Sequence, residues 1–102
     1  MAARHNNLAW ILATYKESGL REPDEAIRLA EQACKLTDYK KPDLLDTLAV
    51  AYASASRFPE AVNTAEKAME LAVSYQQKQL SEAIRKRLLL FKARSPYIEG
   101  PS

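Results

Sequence analysis

The chain has 102 residues, 47% apolar and 27% charged, with a formal net charge of +2. Such a balance suits one small globular domain and excludes a disordered or strongly basic chain. Only Gly19 and Gly100 are glycine, while alanine, leucine, lysine and glutamate abound, which favours helix over strand. No apolar run is longer than the one at 8–13, which is too short to cross a bilayer. The single cysteine, Cys34, excludes an internal disulfide and leaves the compartment open. No leader pattern is read in Met1-Ala2-Ala3-Arg4 followed by His5-Asn6-Asn7.

In chain order, the apolar rhythm and the breaks predict helices at 5–17, 23–37, 42–55, 58–74 and 76–93. Pro23, Pro42 and Pro59 each fit a first helical turn, where a missing N–H costs nothing, and Asp24, Glu25, Asp43 and Glu60 follow to complement the positive helix end. Residues 17–22 read as a surface loop. Pro96, Gly100 and Pro101 make 95–102 a flexible tail. The body at 1–94 is read as one domain.

Two of these helices overlay. Glu25-Ala26-Ile27-Arg28-Leu29-Ala30-Glu31-Gln32-Ala33-Cys34-Lys35-Leu36 matches Glu60-Ala61-Val62-Asn63-Thr64-Ala65-Glu66-Lys67-Ala68-Met69-Glu70-Leu71. A second match places Leu8-Ala9 on Leu48-Ala49 and Ala13 on Ala53, and a weaker one places Leu80, Ala83 and Ile84 on Leu45, Leu48 and Ala49. The chain therefore reads as two helical hairpins, 5–37 and 42–74, closed by a helix at 76–93. The expected core is Leu8, Leu12, Ile27, Leu36, Leu48, Tyr52, Val62, Leu71, Ile84 and Leu88. Alanines 9, 26, 33, 49, 61 and 68 would let the helices approach closely. Arg85-Lys86-Arg87 is expected to face water on the last helix.

A helix pair recurring at about 34 residues resembles the tetratricopeptide repeat. The matches are Leu45, Leu48, Ala49, Tyr52, Ala61 and Ala65 in the second unit, and Leu8, Ala9, Leu12, Ala26 and Ala30 in the first. His5 stands where that pattern opens on a large apolar residue, and Ala30 and Ala65 stand at its aromatic position. Asn6-Asn7-Leu8-Ala9-Trp10 and the ending Leu90-Phe91-Lys92-Ala93-Arg94-Ser95-Pro96-Tyr97 resemble the C-terminal repeats of larger bacterial proteins of this family. The resemblance implies an all-α fold, a right-handed α-solenoid fragment of antiparallel helix-turn-helix units with a C-terminal capping helix.

It also implies a non-catalytic scaffold whose first helices line a concave groove for a peptide or helix of another protein. The expected groove residues are Asn6, Trp10 and Ala13, then Asp43, Asp46, Val50 and Ala53, then Ser81 and Arg85. Trp10 reads either as a ligand anchor or as packing, with Ile11, on a preceding repeat or on the 17–22 loop. In the second case the N-terminal face would favour self-association. Asp46 and Arg85 read as an exposed pair. Two rivals remain: a terminal capping or oligomerisation unit of a longer repeat protein and, more weakly, a basic last helix (Arg85, Lys86, Arg87, Lys92, Arg94) touching nucleic acid or anionic lipid. Neither nucleic acid nor membrane is the expected partner. Cys34 aligns with Met69 and is expected in the core.

No enzyme, cofactor or metal site is expected. His5 is the one histidine, no Gly-rich phosphate loop is present, and carboxylates such as Glu31 sit at intrahelical spacing from lysines such as Lys35.

Overall fold

A computed structural model describes residues 9–11, 13–14 and 22–97, all of them helical or in short connections, with no strand among them. Of the helix expected at 5–17, residues 9–11 and 13–14 are helical. His5, Asn6, Leu8, Leu12, most of the 17–22 loop and residues 98–102 lie outside the described residues. Four further helices follow: α1 (Pro23–Leu36), α2 (Pro42–Ser54), α3 (Phe58–Ser74) and α4 (Lys78–Lys92).

Proline stands in the first turn of α1, α2 and α3, and Asp24, Glu25, Asp43 and Glu60 sit beside it. None of the four helices has a side-chain N-cap bond. The preset φ of proline and the acidic first turn define these starts instead.

All four helices end alike. The N–H groups of Tyr39, Arg57, Gln77 and Ser95 each reach back to the carbonyl at the start of the last turn, on Cys34, Tyr52, Ala72 and Leu90, at 2.8–2.9 Å. The residue before each of these adopts a left-handed conformation: Asp38 (φ 55°), Ser56 (62°), Gln76 (59°) and Arg94 (60°). This is the hairpin-like helix stop that usually carries glycine. It also explains why α4 begins at Lys78 and not at 76, since Gln76 is spent on ending α3. A left-handed side chain costs about 1–2 kcal/mol and glycine's extra chain entropy about 0.5–1 kcal/mol. Ser56→Gly and Gln76→Gly are therefore each expected to stabilise the fold by about 0.5–1 kcal/mol. Urea midpoints at or below the parent value would contradict this.

Each helix packs on its neighbours in the chain, α1 on α2, α2 on α3 and α3 on α4; the three-residue links at 55–57 and 75–77 turn the chain straight back. Beyond neighbours, α2 also touches α4, while α1 and α3 do not approach each other. The overlaid alanines share one fate: Ala26 and Ala61, Ala30 and Ala65, Ala33 and Ala68, and Ala9 and Ala49 are all buried. Small side chains at those points let backbones meet closely.

Of the expected core, Ile27, Leu48, Ile84 and Leu88 are buried, and Tyr52, Val62 and Leu71 are half-buried against it. Leu36 departs, at 60% exposure. The buried positions 26, 30 and 33 continue to 37, not 36, so Leu36 lies off the stripe in the last turn. Thr37 takes the stripe position, its hydroxyl donating to the Ala33 carbonyl at 3.1 Å. The helix α2 is buried nearly all round, from Leu44 to Ala51 without a break.

Cys34 is fully buried, and desolvation with the nearby Glu31 and Asp43 charges pushes its thiol up to about 12. A thiol in that setting is the reverse of a nucleophile. Reaction with a disulfide reagent is expected to be about a thousandfold or more slower in the native chain than in urea, tracking its opening. Comparable rates in the two states would contradict the burial.

Candidate functional site

The one buried ion pair on the described residues is Asp46 with Arg87. Asp46 is 4% exposed on α2, and the Arg87 side chain from α4 is 13% exposed. Arg87 Nε donates to Asp46 Oδ1 at 2.9 Å, and Arg87 Nη2 donates to Oδ2, giving a bidentate clasp. Burial pushes the Asp46 carboxyl above its usual range; the Arg87 guanidinium pulls it back and Asp43 opposes that, so burial prevails.

Two rings cover the guanidinium. Arg87 Cζ lies 5.4 Å from the Trp10 ring centroid and 5.2 Å from that of Tyr97. The two rings meet at 5.8 Å, tilted by 54°. Both distances to Arg87 fall within cation–π range. Trp10, half-buried, thus packs against the segment after α4, beside Arg87. Residues 95–97, expected in a flexible tail, are half-buried.

The expected groove residues do not share one open surface. Val50 is fully buried and Asp46 nearly so, as are Ala13 and Ala53. Asp43 is exposed in the first turn of α2, beside an open depression of about 720 Å³ at the link between α1 and α2. Ser81 is half-buried, its hydroxyl donating to the Lys78 carbonyl at 2.8 Å, and Arg85 is exposed. Asn6 lies outside the described residues.

The register on α4 accounts for part of this. Matching Leu80 and Ala83 to Leu45 and Leu48 sets Ser81 and Arg85 level with Asp46 and Val50. In the fold, α4 buries Ile84, Leu88 and Phe91, and the flank turned to α2 carries Arg87. Two residues along a helix is about 200°, so Arg85 points away from Arg87. Asp46 therefore pairs with Arg87, and the expected exposed Asp46–Arg85 pair does not form. An open depression of about 330 Å³ runs along this flank, lined by Gln79, Glu82, Ala83, Lys86, Arg87, Leu90 and Tyr97.

The basic run is partly absorbed by the fold. Arg87 is clasped by Asp46, Lys92 Nζ lies 4.0 Å from a Glu66 oxygen, and Arg94 sits over the Phe58 ring at 5.6 Å. Arg85 and Lys86 are exposed. On the other side of the bundle, the Tyr52 hydroxyl donates to Glu31 Oε2 at 3.2 Å, with Arg57 over the Tyr52 ring at 4.8 Å. The Tyr52–Glu31 bond ties α1 to α2.

Arg87 and Tyr97 are the residues that sequence reasoning did not single out for this face. The available signals were weak: an arginine on the Ala83 flank of α4, and one aromatic after Pro96 in a polar tail. Among the described residues, no three His, Cys, Asp or Glu side chains converge as a metal site would require, and no helix is long and apolar enough to cross a membrane. Comparison with family models, with curated proteins and with solved structures found no match to this chain.

Proposed function

We propose that this chain is a non-catalytic scaffold of tetratricopeptide type, a right-handed α-solenoid fragment whose inner face receives a segment of another protein. The observation that carries the reading is the asymmetry of helix contacts. Helix α2 reaches α4, while α1 and α3 stay apart. A stack bent in this sense has α2 and α4 on its inner, crowded side, which supports a concave surface there. The matched buried alanines in α1 and α3 support two copies of one hairpin.

With Asp46 and Val50 buried, the part of that face open to a ligand is the α4 flank: Gln79, Ala83, Lys86 and Leu90, bounded by Trp10, Arg87 and Tyr97. Peptides selected from a random library against the chain test this. Lys86→Glu is expected to weaken the selected binders about tenfold or more, while Arg85→Glu on the far side and Glu70→Lys on α3 leave them unchanged. Equal losses from all three variants, or binders that ignore Lys86→Glu, would defeat the reading.

A terminal capping unit is the second reading, favoured by the charged outward face of α4, where Lys78, Arg85 and Lys92 are exposed. Self-association would then run through the N-terminal side, where Ile11 is exposed. Sedimentation equilibrium of the parent and Ile11→Ser chains decides this, since an Ile11-dependent dimer is expected only on that reading.

A further inference from the structure

Tyr97 stands past the end of the last helix, yet its ring rests on Trp10 from the first helical segment and on Arg87. The local chain explains how it gets there. Arg94 takes a left-handed conformation, its N–H bonding the Phe91 carbonyl at 2.9 Å, and the Ser95 N–H bonds the Leu90 carbonyl at 2.9 Å. That turn sends the chain back along α4, and Pro96 holds the next step extended.

The guanidinium beneath the ring has a support of its own. Asp46 clasps Arg87 from below with two hydrogen bonds, so the guanidinium keeps its place whether or not a ring covers it. The open depression on α4 begins at Tyr97 and continues past Leu90, Ala83 and Lys86 to Gln79. A short non-helical segment thus fills one end of a surface whose remainder is open.

We propose that the Trp10–Arg87 platform is an aromatic-recognition subsite, occupied in the free chain by Tyr97 and taken over by a tyrosine or phenylalanine on an extended segment of a partner protein. The inference rests on the scaffold reading and deepens it by naming the anchor residue of the ligand. The tail itself favours this occupant: a proline-preceded aromatic segment is already seated there. An aromatic face over the guanidinium and a tilted ring contact with the indole are the contacts such a residue would reproduce. Tyr97 then acts as an intramolecular competitor at the high effective concentration of a tethered group.

Trp10 is the only tryptophan, so its emission reports the platform directly. The probe is a free peptide with the sequence of residues 95–102, added to the full-length parent, Tyr97→Phe and Tyr97→Ala chains. The peptide is expected to bind Tyr97→Ala about tenfold or more tightly than the parent or Tyr97→Phe, because the tethered ring is gone. The same peptide with alanine for its tyrosine is expected to leave the emission unchanged.

Equal affinity for the three chains, or no binding to a Tyr97→Ala chain of parental helicity, overturns the proposal. Should Tyr97→Ala lose its helicity, the parent chain decides: millimolar peptide must shift the Trp10 indole resonance, and an unmoved resonance overturns the subsite. Library peptides that need Lys86 but bind parent and Tyr97→Ala alike would retain the scaffold and remove only this subsite. A tail peptide that binds while no library peptide does would do the opposite.

Discussion

Arg87→Met is expected to destabilise the fold by about 3–5 kcal/mol at neutral pH, because it leaves the Asp46 carboxylate buried without its counter-charge. Methionine retains much of the stem volume and a sulfur contact to the Trp10 and Tyr97 rings, so the loss reports the charge more than the packing. The pH dependence follows from the causes acting on Asp46. Burial and Asp43 raise its pKa, and only Arg87 lowers it. Without Arg87 the folded-state value rises further above that of the unfolded chain. A raised carboxyl favours the folded state where it is protonated, so that contribution is complete below the unfolded value and lost as pH rises through the folded one. The Arg87→Met chain should therefore recover stability as pH falls from 7 towards the ordinary carboxylate range.

Asp46→Leu combined with Arg87→Met removes both charges. It is expected to regain most of the loss, or exceed the parent, and to lack this pH dependence. Urea melts of the parent, Arg87→Met, Asp46→Leu and the double variant at pH 7 and pH 5 complete the cycle. A single-variant loss under about 0.5 kcal/mol would mean that the pair behaves as a solvated surface contact.

The same pair marks where the sequence was legible and where it was not. Prolines at 23, 42 and 59 and the acids beside them placed three helix starts to within a residue, because first-turn chemistry is local. The alanine matches between 26–33 and 61–68 anticipated positions that are buried, because a small side chain at a helical spacing has few other uses. What failed was non-local. Past its exposed first-turn Asp43, α2 carries Asp46 within a stretch buried from Leu44 to Ala51, and a reading of Asp46 as an exposed groove residue overlooks that this stretch has no polar face to turn outward. A helix apolar all round is covered all round. Arg87 reads in sequence as part of a solvated run because its partner stands 41 positions away, beyond any periodic pattern. The left-handed stops at Ser56 and Gln76 carried no glycine to announce them.

Phe91→Ala is the second large effect, expected at about 3–5 kcal/mol. It tests how α4 is turned. The segment Leu88-Leu89-Leu90-Phe91 is uniformly apolar, so composition alone cannot say which members face the core. The fold sorts them at 4%, 62%, 39% and 1% exposed. With Ile84, the buried members Leu88 and Phe91 fall at spacings of four and three, one face of a helix against α3. Removing the Phe91 ring leaves a cavity under the end of α4, where Phe58 and Arg94 also pack. A domain of this size holds about 5–15 kcal/mol in total, so the loss should take away a large part of it. Leu89→Ala, one residue pair earlier and largely in water, is expected to change stability by no more than about 0.5 kcal/mol. The contrast is the test. If Leu89→Ala cost as much as Phe91→Ala in a thermal melt, α4 would be rotated from the orientation described. Arg87 would then no longer face Asp46, and the platform that holds Tyr97 would have no basis.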